Sequence, residues 1–272
     1  LNHYGFQVTT TTRRQSGTRQ NSVYLDLGVP ASFANIHGYQ YDSVVLCGAV
    51  TALKSCEENP EETRRINVDS TIALADLFAR EGSQIVFISS NMVFDGRKPF
   101  VKLFDARTPI TEYGRQKALV EEHLLLPFSN AAVIRFGKIV SPTFPLFVDW
   151  IAKLRVGEKI YPHADKKIAP ISLSLATEVL CWMIISNKID LLQLTASCDL
   201  TYVEAAHILA QLIPSDPSLI EPMESPSPEY YNFESYHTPV FTTLEMSPEL
   251  SPLFIAPSPR QVLQNVLSSS SL

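Results

Sequence analysis

Two residues four positions apart, Tyr113 and Lys117, have the types and the spacing of a proton-transfer pair. In a helix, residues four apart lie on one face, so the phenol and the ammonium would be neighbours. Of the ten tyrosines, only Tyr113 has a lysine four residues later. An ammonium beside a phenol stabilises the phenolate, so we expect the pKa of Tyr113 to fall from its usual value of about 10. The pair would then exchange a proton with a carbonyl or alcohol oxygen.

Two serines, Ser89 and Ser90, follow a short run of β-branched and aromatic residues from Gln84 to Ile88. This run predicts a strand, and a hydroxyl at its end would hydrogen-bond the same reacting oxygen. The residues alone leave open which serine faces the site. They also leave open a simpler interpretation, in which Tyr113 and Lys117 are a surface pair on an amphipathic helix.

Composition and charge exclude several other classes of function. A net charge of -6 over 272 residues argues against a nucleic-acid surface, which would carry a basic stripe. No apolar run approaches the roughly 20 residues of a membrane span. The four cysteines and six histidines lack metal-ligand spacing, so we expect no metal site. Reduced cysteines in apolar runs predict a cytoplasmic protein.

The elements that would position these residues alternate between strands and helices over the first 140 residues. This order predicts an α/β fold with a doubly wound parallel sheet. Residues 141–272 are predicted to form a smaller lobe, interleaved with the first part. Ten of the nineteen prolines lie between residues 214 and 259, so this stretch cannot be regular sheet or long helix throughout. The predicted strands are Phe6–Thr12, Ser22–Leu27, Ser43–Cys47, Gln84–Ile88 and Ala131–Phe136. The predicted helices are 60–81 with Asn59 as its cap, 112–126 with Thr111 as its cap, Pro145–Leu154, Leu173–Ile185, Tyr202–Leu212 and Pro259–Leu267.

Several segments resemble those of a known family, in that family's order. They are Cys47-Gly-Ala, Asn59-Pro-Glu-Glu with Ile66-Asn-Val, Ile88-Ser-Ser-Asn-Met-Val-Phe-Asp-Gly96 and Tyr113-Gly-Arg-Gln-Lys117. The chain is similar to extended short-chain dehydrogenases/reductases of the dTDP-4-dehydrorhamnose reductase branch. That branch also includes the regulatory subunit of methionine adenosyltransferase. The resemblance covers nearly the whole chain and is strongest from about residue 43 to 137.

The resemblance implies roles for the catalytic candidates. Tyr113 would protonate a carbonyl oxygen while a nicotinamide delivers hydride, and the family pattern favours Ser90 over Ser89 as the orienting hydroxyl. Lys117 would also hold the nicotinamide ribose, and Asn67 would support the lysine through a water. Asn67 has an alternative interpretation as an ordinary polar residue within its helix.

The resemblance also implies cofactor residues, although no Gly-x-Gly-x-x-Gly motif occurs in the chain. Phe6–Thr12 matches the family's second strand, so we expect the first strand and its glycine loop to lie before Leu1. Arg13 and Arg14 would meet a 2′-phosphate, which favours NADP, with NAD as the alternative. The other implied residues are Asp26 and Leu27 at the adenine, and Cys47, Gly48 and Ala49 at the ribose and pyrophosphate. The alternatives are a basic loop for the arginines and a structural turn for Cys47–Ala49.

Substrate contacts are expected from Asn91 and Met92, which replace the family's Asp-Tyr, and from Lys138 in the loop after Arg135. The expected function is NADP-dependent reduction of a keto group on a nucleotide-linked sugar. Related epimerase or dehydratase chemistry and a catalytically silent NAD(P)-binding regulatory subunit are the alternatives. Helices 60–81 and 112–126 form the family's usual dimer face, so a homodimer is expected.

Overall fold

The computed structural model of the protein describes residues 5–14, 21–36, 38–127, 129–224 and 239–268. Residues 225–238, in the proline-rich stretch, therefore lie outside the described part. No helix within the described ranges has both the length and the apolar character that crossing a membrane requires.

Short strands and longer helices alternate along the chain, as the sequence predicts. The described strands are β1 (Thr10–Thr12), β2 (Ser22–Tyr24), β3 (Ser43–Leu46), β4 (Gln84–Ser90), β5 (Ala131–Phe136), β6 (Ile139–Val140), β7 (Lys167–Ile168), β8 (Ile171–Ser172), β9 (Leu191–Leu194) and β10 (Leu200–Thr201). The described α-helices are α1 (Leu53–Glu58), α2 (Pro60–Arg64), α3 (Ser70–Arg80), α4 (Glu112–Leu124), α5 (Pro145–Arg155), α6 (Leu173–Ile185), α7 (Tyr202–Leu212) and α8 (Pro259–Ser268). One π-helical turn, Arg65–Asp69, joins α2 to α3.

The central sheet is parallel and has the order β3-β4-β5-β9. Its middle strand β5 is buried along its whole length, as expected where helices cover both faces. Strands β1 and β2 form a separate parallel pair. The doubly wound parallel sheet is thus confirmed, and the pairing of Ser90 with Phe136 places the ends of β4 and β5 side by side.

Each face of the sheet has its own apolar core, because successive strand residues point to opposite sides. Ile85 and Phe87 pack under α3 and α4, whereas Val86 packs under α6. A third core fills the lobe made by α5, α7 and α8. The division into parts 1–140 and 141–272 stays a prediction, although α6 and β9 return to the sheet from the second part.

Several predicted boundaries differ from the structure. The first predicted strand is limited to Thr10–Thr12, and Asn59 makes no side-chain capping bond. Helical structure instead begins earlier, at Leu53, and Asn59 separates α1 from α2. Thr111 does cap α4, because its hydroxyl accepts the Gly114 N–H at 3.0 Å. Strand β9 was not predicted, since four residues with a central glutamine carry no clear pattern.

Candidate active site

Glycine at position 114 is what allows the start of α4 to approach the end of β4. A Cβ atom at Gly114 would lie 2.1 Å from the carbonyl oxygen of Met92, in the turn that follows Ser90. Such a contact is impossible without moving the backbone, so only glycine permits this packing. Tyr113, the neighbour of Gly114, is thereby held beside the strand end that carries Ser90.

A cleft of about 810 Å³ opens at the carboxyl ends of β3, β4 and β5. Ligands of open parallel sheets bind in this position, outside the carboxyl ends of the strands. The lobe closes the other side with Trp150, Tyr202 and the segment around Lys166. The predicted site residues that line this cleft are Cys47, Ala49, Ser90, Asn91, Met92, Tyr113, Lys117 and Lys138.

The other predicted residues lie outside the described lining of this cleft. Asn67 binds Val50 instead: its Oδ1 accepts the Val50 N–H at 2.7 Å, and its Nδ2 donates to the Val50 carbonyl at 2.9 Å. The same Nδ2 donates to Gln116 Oε1 at 2.7 Å, next to Lys117. Asn67 therefore ties the loop after β3 to α4, and its predicted water-mediated support of Lys117 stays a prediction.

The predicted adenine-side residues follow the first two strands. Asp26 Oδ1 accepts the Gly28 N–H at 2.8 Å, and the Leu27 side chain lies against Gly48. Arg13 and Arg14 follow β1 and are exposed. Their roles toward a cofactor stay predictions.

Lys117 is buried and donates a hydrogen bond to the carbonyl oxygen of Ile88 at 2.8 Å. Its ammonium lies 4.4 Å from the ring centre of Phe87 and 5.8 Å from that of Tyr113. Burial lowers the pKa of Lys117 to about 8, against a smaller opposite effect from Cys47 and Glu121. The lysine is thus a cation at neutral pH, but one that titrates near the physiological range.

The pKa of Tyr113 differs from the prediction. We expected the ammonium of Lys117 to lower it, but burial raises the pKa of Tyr113, and the nearby Cys56 adds to the rise. The physical reason is that desolvation of a phenolate outweighs an ammonium directed at the Ile88 carbonyl. Tyr113 is therefore a protonated phenol at neutral pH, which is the form that donates a proton.

The two serines of the strand end have different surroundings. Ser89 is buried, and its hydroxyl donates to Glu121 Oε1 at 2.5 Å. The Ser90 hydroxyl accepts the Met92 N–H at 3.2 Å and donates to Asn91 Oδ1 at 3.3 Å at the cleft wall. The second of these bonds is long and easily exchanged. Both serines line the cleft, and the role of Ser90 as the orienting hydroxyl stays a prediction.

A buried ion pair behind the site was missed by sequence reasoning. Glu121 and Arg135 are 0% and 2% exposed in their side chains, and Arg135 Nη2 donates to Glu121 Oε2 at 2.6 Å. Arg107 approaches the same carboxylate at 3.5 Å. Glu121 lies one helical turn after Lys117, and this spacing was the only feature of the sequence that could have placed Glu121 near the site. The pair joins α4 to β5 and so fixes the helix against the sheet.

The charged side chains in the described lining of the cleft are all positive. Its described lining includes four lysines, Lys117, Lys138, Lys166 and Lys167, together with His163, and contains no aspartate or glutamate. The chain as a whole carries a net charge of -6. Among the described residues, no group of three or more His, Cys, Asp or Glu side chains is placed to hold a metal ion. The arrangement therefore suits an anionic organic ligand.

The chain is similar to known proteins. A family model described as "RmlD substrate binding domain" matches residues 1–231. A dTDP-4-dehydrorhamnose reductase of Sinorhizobium fredii is 31% identical over 133 residues, which are 48% of this chain and 45% of that protein. Methionine adenosyltransferase 2 subunit beta of Pongo abelii is 34% identical over 100 residues, 37% of this chain and 30% of that protein. The chain thus spans less than half the length of these two relatives.

The fold is also similar to solved structures. The crystal structure of dTDP-4-dehydrorhamnose reductase from Bacillus anthracis in complex with NADP superposes with a TM-score of 0.81. The superposition covers 91% of this chain and 89% of that one, at 16% identity. At this identity the likeness establishes the Rossmann-like fold alone.

Proposed function

Because this chain belongs to the family of the RmlD substrate-binding domain, we propose that it is an NADPH-dependent reductase acting on a keto group of a nucleotide-linked sugar. The observation that carries the proposal is the cleft itself. Ser90, Tyr113 and Lys117 line one cavity, whose described wall holds lysines and no carboxylates. Both a dinucleotide and a nucleotide sugar are anions that such a wall attracts.

Each residue has a defined part in the proposed reaction. The Ser90 hydroxyl binds and orients the keto oxygen, and Tyr113 donates its phenolic proton to that oxygen as the C=O bond becomes CH–OH. NADPH, held in part by Lys117, would supply the hydride that completes the reduction. Lys117 then stabilises the tyrosinate until a proton from solvent restores the phenol, as its positive charge lies 5.8 Å from the ring centre.

The residues present fit the nicotinamide half of an NADP molecule. Lys117 supplies a buried cation beside Cys47 and Ala49, where a ribose and a phosphate group would lie. We propose Arg13 and Arg14 for the 2′-phosphate, Asp26 and Leu27 for the adenine, and Cys47, Gly48 and Ala49 for the ribose and pyrophosphate. The four cysteines are free thiols, which supports the proposed cytoplasmic location.

An absorbance assay at 340 nm with NADPH and a panel of 4-keto nucleotide sugars tests the proposal. We expect turnover by the wild-type chain and a loss of about 10²- to 10⁴-fold in kcat for Tyr113→Phe, because the proton donor is removed. The exposed tyrosine variant Tyr39→Phe is the matched control and should keep full activity. Binding of NADPH without turnover on any substrate would contradict the proposal.

A second candidate is a catalytically silent NAD(P)-binding subunit. It is favoured by the 34% identity over 100 residues to a subunit of methionine adenosyltransferase. The raised pKa of Tyr113 disfavours epimerase or dehydratase steps that need a tyrosinate base at neutral pH. The same assay separates the candidates, since a silent subunit would bind NADPH and show equal, background rates in wild type and Tyr113→Phe.

A further inference from the structure

Lys138 lies at the reacting end of the cleft. It comes two residues after Phe136, which pairs with Ser90 across the adjacent ends of β5 and β4, and neighbouring strands are only about 4.8 Å apart. Its backbone is held in place, because the Lys138 carbonyl accepts the Ile171 N–H at 2.9 Å. Gly137 before it packs so tightly that a Cβ atom there would lie 2.5 Å from the Ala169 carbonyl oxygen. Lys138 is therefore a rigidly placed wall residue.

The ammonium of Lys138 lacks a carboxylate partner among the described residues. Its recorded contact is with the ring of Phe144, whose centre lies 5.9 Å away. The side chain is open to solvent along the cleft, yet the surrounding protein lowers its pKa by desolvation. A partly desolvated cation without a counter-ion costs free energy, which an anionic ligand would recover.

The position of Lys138 identifies the part of the ligand that it meets. The keto oxygen must lie within hydrogen-bond reach of Ser90 and Tyr113. Because the Lys138 backbone lies beside the strand end that carries Ser90, and its side chain lines the same cleft, the sugar atoms near the keto carbon come within reach of this long side chain. The diphosphate is attached elsewhere, at the anomeric carbon. Lys166 and Lys167, on the lobe side of the cleft, are then available to bind that diphosphate.

We propose that the substrate sugar carries a carboxylate close to its keto carbon, as a uronic-acid-type sugar does, and that Lys138 binds this carboxylate. The inference rests on the proposed function, because it takes the ligand to be a nucleotide sugar. It assigns specificity to Lys138: an acidic sugar is preferred over the neutral sugar of otherwise identical structure.

Calorimetric titration with matched sugar nucleotides tests the proposal. The probes are the glucuronate and glucose conjugates of UDP and of dTDP, which differ only in a carboxylate against a hydroxymethyl group. The wild-type chain should bind the glucuronate at least about tenfold more tightly than the glucose conjugate. Lys138→Met should lower the glucuronate affinity to that of the glucose conjugate, and Lys138→Arg should keep the preference.

Lys166→Met is the matched control, since it should weaken both conjugates equally and preserve their ratio. Equal wild-type affinities for the two sugars would overturn the assignment. An equal loss of both affinities in Lys138→Met would also overturn it, because the lysine would then bind the diphosphate. If none of the four conjugates binds, the nucleotide-sugar function fails, and this inference fails with it.

Discussion

At the scale of single residues, the proposed chemistry depends on the buried Lys117 and on Tyr113, which is partly buried beside it. The phenol of Tyr113 stays protonated because burial raises its pKa. Lys117 is still a cation at neutral pH, but it loses its charge at a lower pH than an ordinary lysine because burial lowers its pKa to about 8. Burial thus acts on both groups in the direction that favours the uncharged form. In this arrangement the phenol can donate a proton, and a bound anion would favour the protonated form of the lysine.

NADPH binding should therefore weaken as the pH rises through about 8, because Lys117 then loses the charge that attracts the cofactor. Fluorescence titration should give a constant Kd below about pH 7 and a Kd weaker by about tenfold or more at pH 9.5. Lys117→Met should bind weakly at every pH. Cys47→Ala is the control, because it removes another residue of the cleft lining but leaves Lys117, and it should keep the loss of affinity at high pH.

The lowered pKa of Lys117 has the opposite effect on stability: affinity for the cofactor should fall as the pH rises, whereas the contribution of Lys117 to stability should rise. The folded pKa of Lys117 lies below its unfolded value of about 10.5, so between these values the unfolded chain binds more protons. The contribution of Lys117 to the free energy of unfolding therefore rises with pH from about 8 to 10.5. Cofactor affinity and this stability contribution thus move in opposite directions.

At the scale of elements, the site exists because helix α4 is pressed onto the end of β4 and joined to β5. Gly114 permits the close contact with Met92, and the buried pair of Glu121 and Arg135 holds the other end of the helix. Ser89 adds a hydrogen bond to the same carboxylate. These contacts explain how residues from two strands and one helix keep a fixed geometry.

Gly114→Ala should destabilise the protein even though alanine is the better helix former by about 1 kcal/mol. The new methyl group would collide with the Met92 carbonyl oxygen, so the helix must shift away from Ser90. We expect a loss of about 1–3 kcal/mol in the free energy of unfolding in urea, together with loss of the proposed reductase turnover. Alanine at the exposed Glu122 of the same helix should change stability by less than about 0.5 kcal/mol. A fully active, stable Gly114→Ala chain would show that this contact is dispensable.

Glu121→Gln should destabilise the fold strongly, because it leaves the buried Arg135 without its charged partner. Breaking a buried pair in this way costs about 3–5 kcal/mol in the free energy of unfolding. Urea denaturation of this variant and of Glu122→Gln, its exposed neighbour, measures the difference. Equal stabilities would mean that solvent already reaches the pair.

At the scale of the whole molecule, an acidic chain encloses a basic cleft. The net charge is -6, while the described lining of the cleft contains lysines and no carboxylates. This contrast concentrates a positive electrostatic potential at the mouth of the cleft, which favours the entry of anionic ligands. The lobe core of α5, α7 and α8 holds the second wall in place, so the cleft depends on both parts of the chain.

The predicted homodimer is the second property at this scale. Leu119 lies on α4 with 41% of its surface exposed, on one of the two helices proposed as the dimer face. We expect a dimer in sedimentation velocity experiments, with Leu119→Arg shifting it to monomer because a charge would be buried in the contact. Val148→Arg, at an equally exposed position on α5, should leave the dimer intact. A wild-type monomer at micromolar concentration would contradict the prediction.

The sequence by itself predicted the fold class and the bounds of α6 and α7, which the structure confirms, and it predicted that Ser90, Tyr113 and Lys117 lie close together, as they do in the cleft. Periodicity, caps and short motifs are local signals, and these features depend on neighbours a few residues apart. The tertiary structure alone decided that the Ser89 hydroxyl donates to Glu121, that the Lys117 ammonium donates to the Ile88 carbonyl, and that the pKa of Tyr113 rises. It also brought Lys138, Lys166 and Lys167 to one cleft. The reason is that burial and charge environment are set by residues far apart in the chain, which no local pattern records.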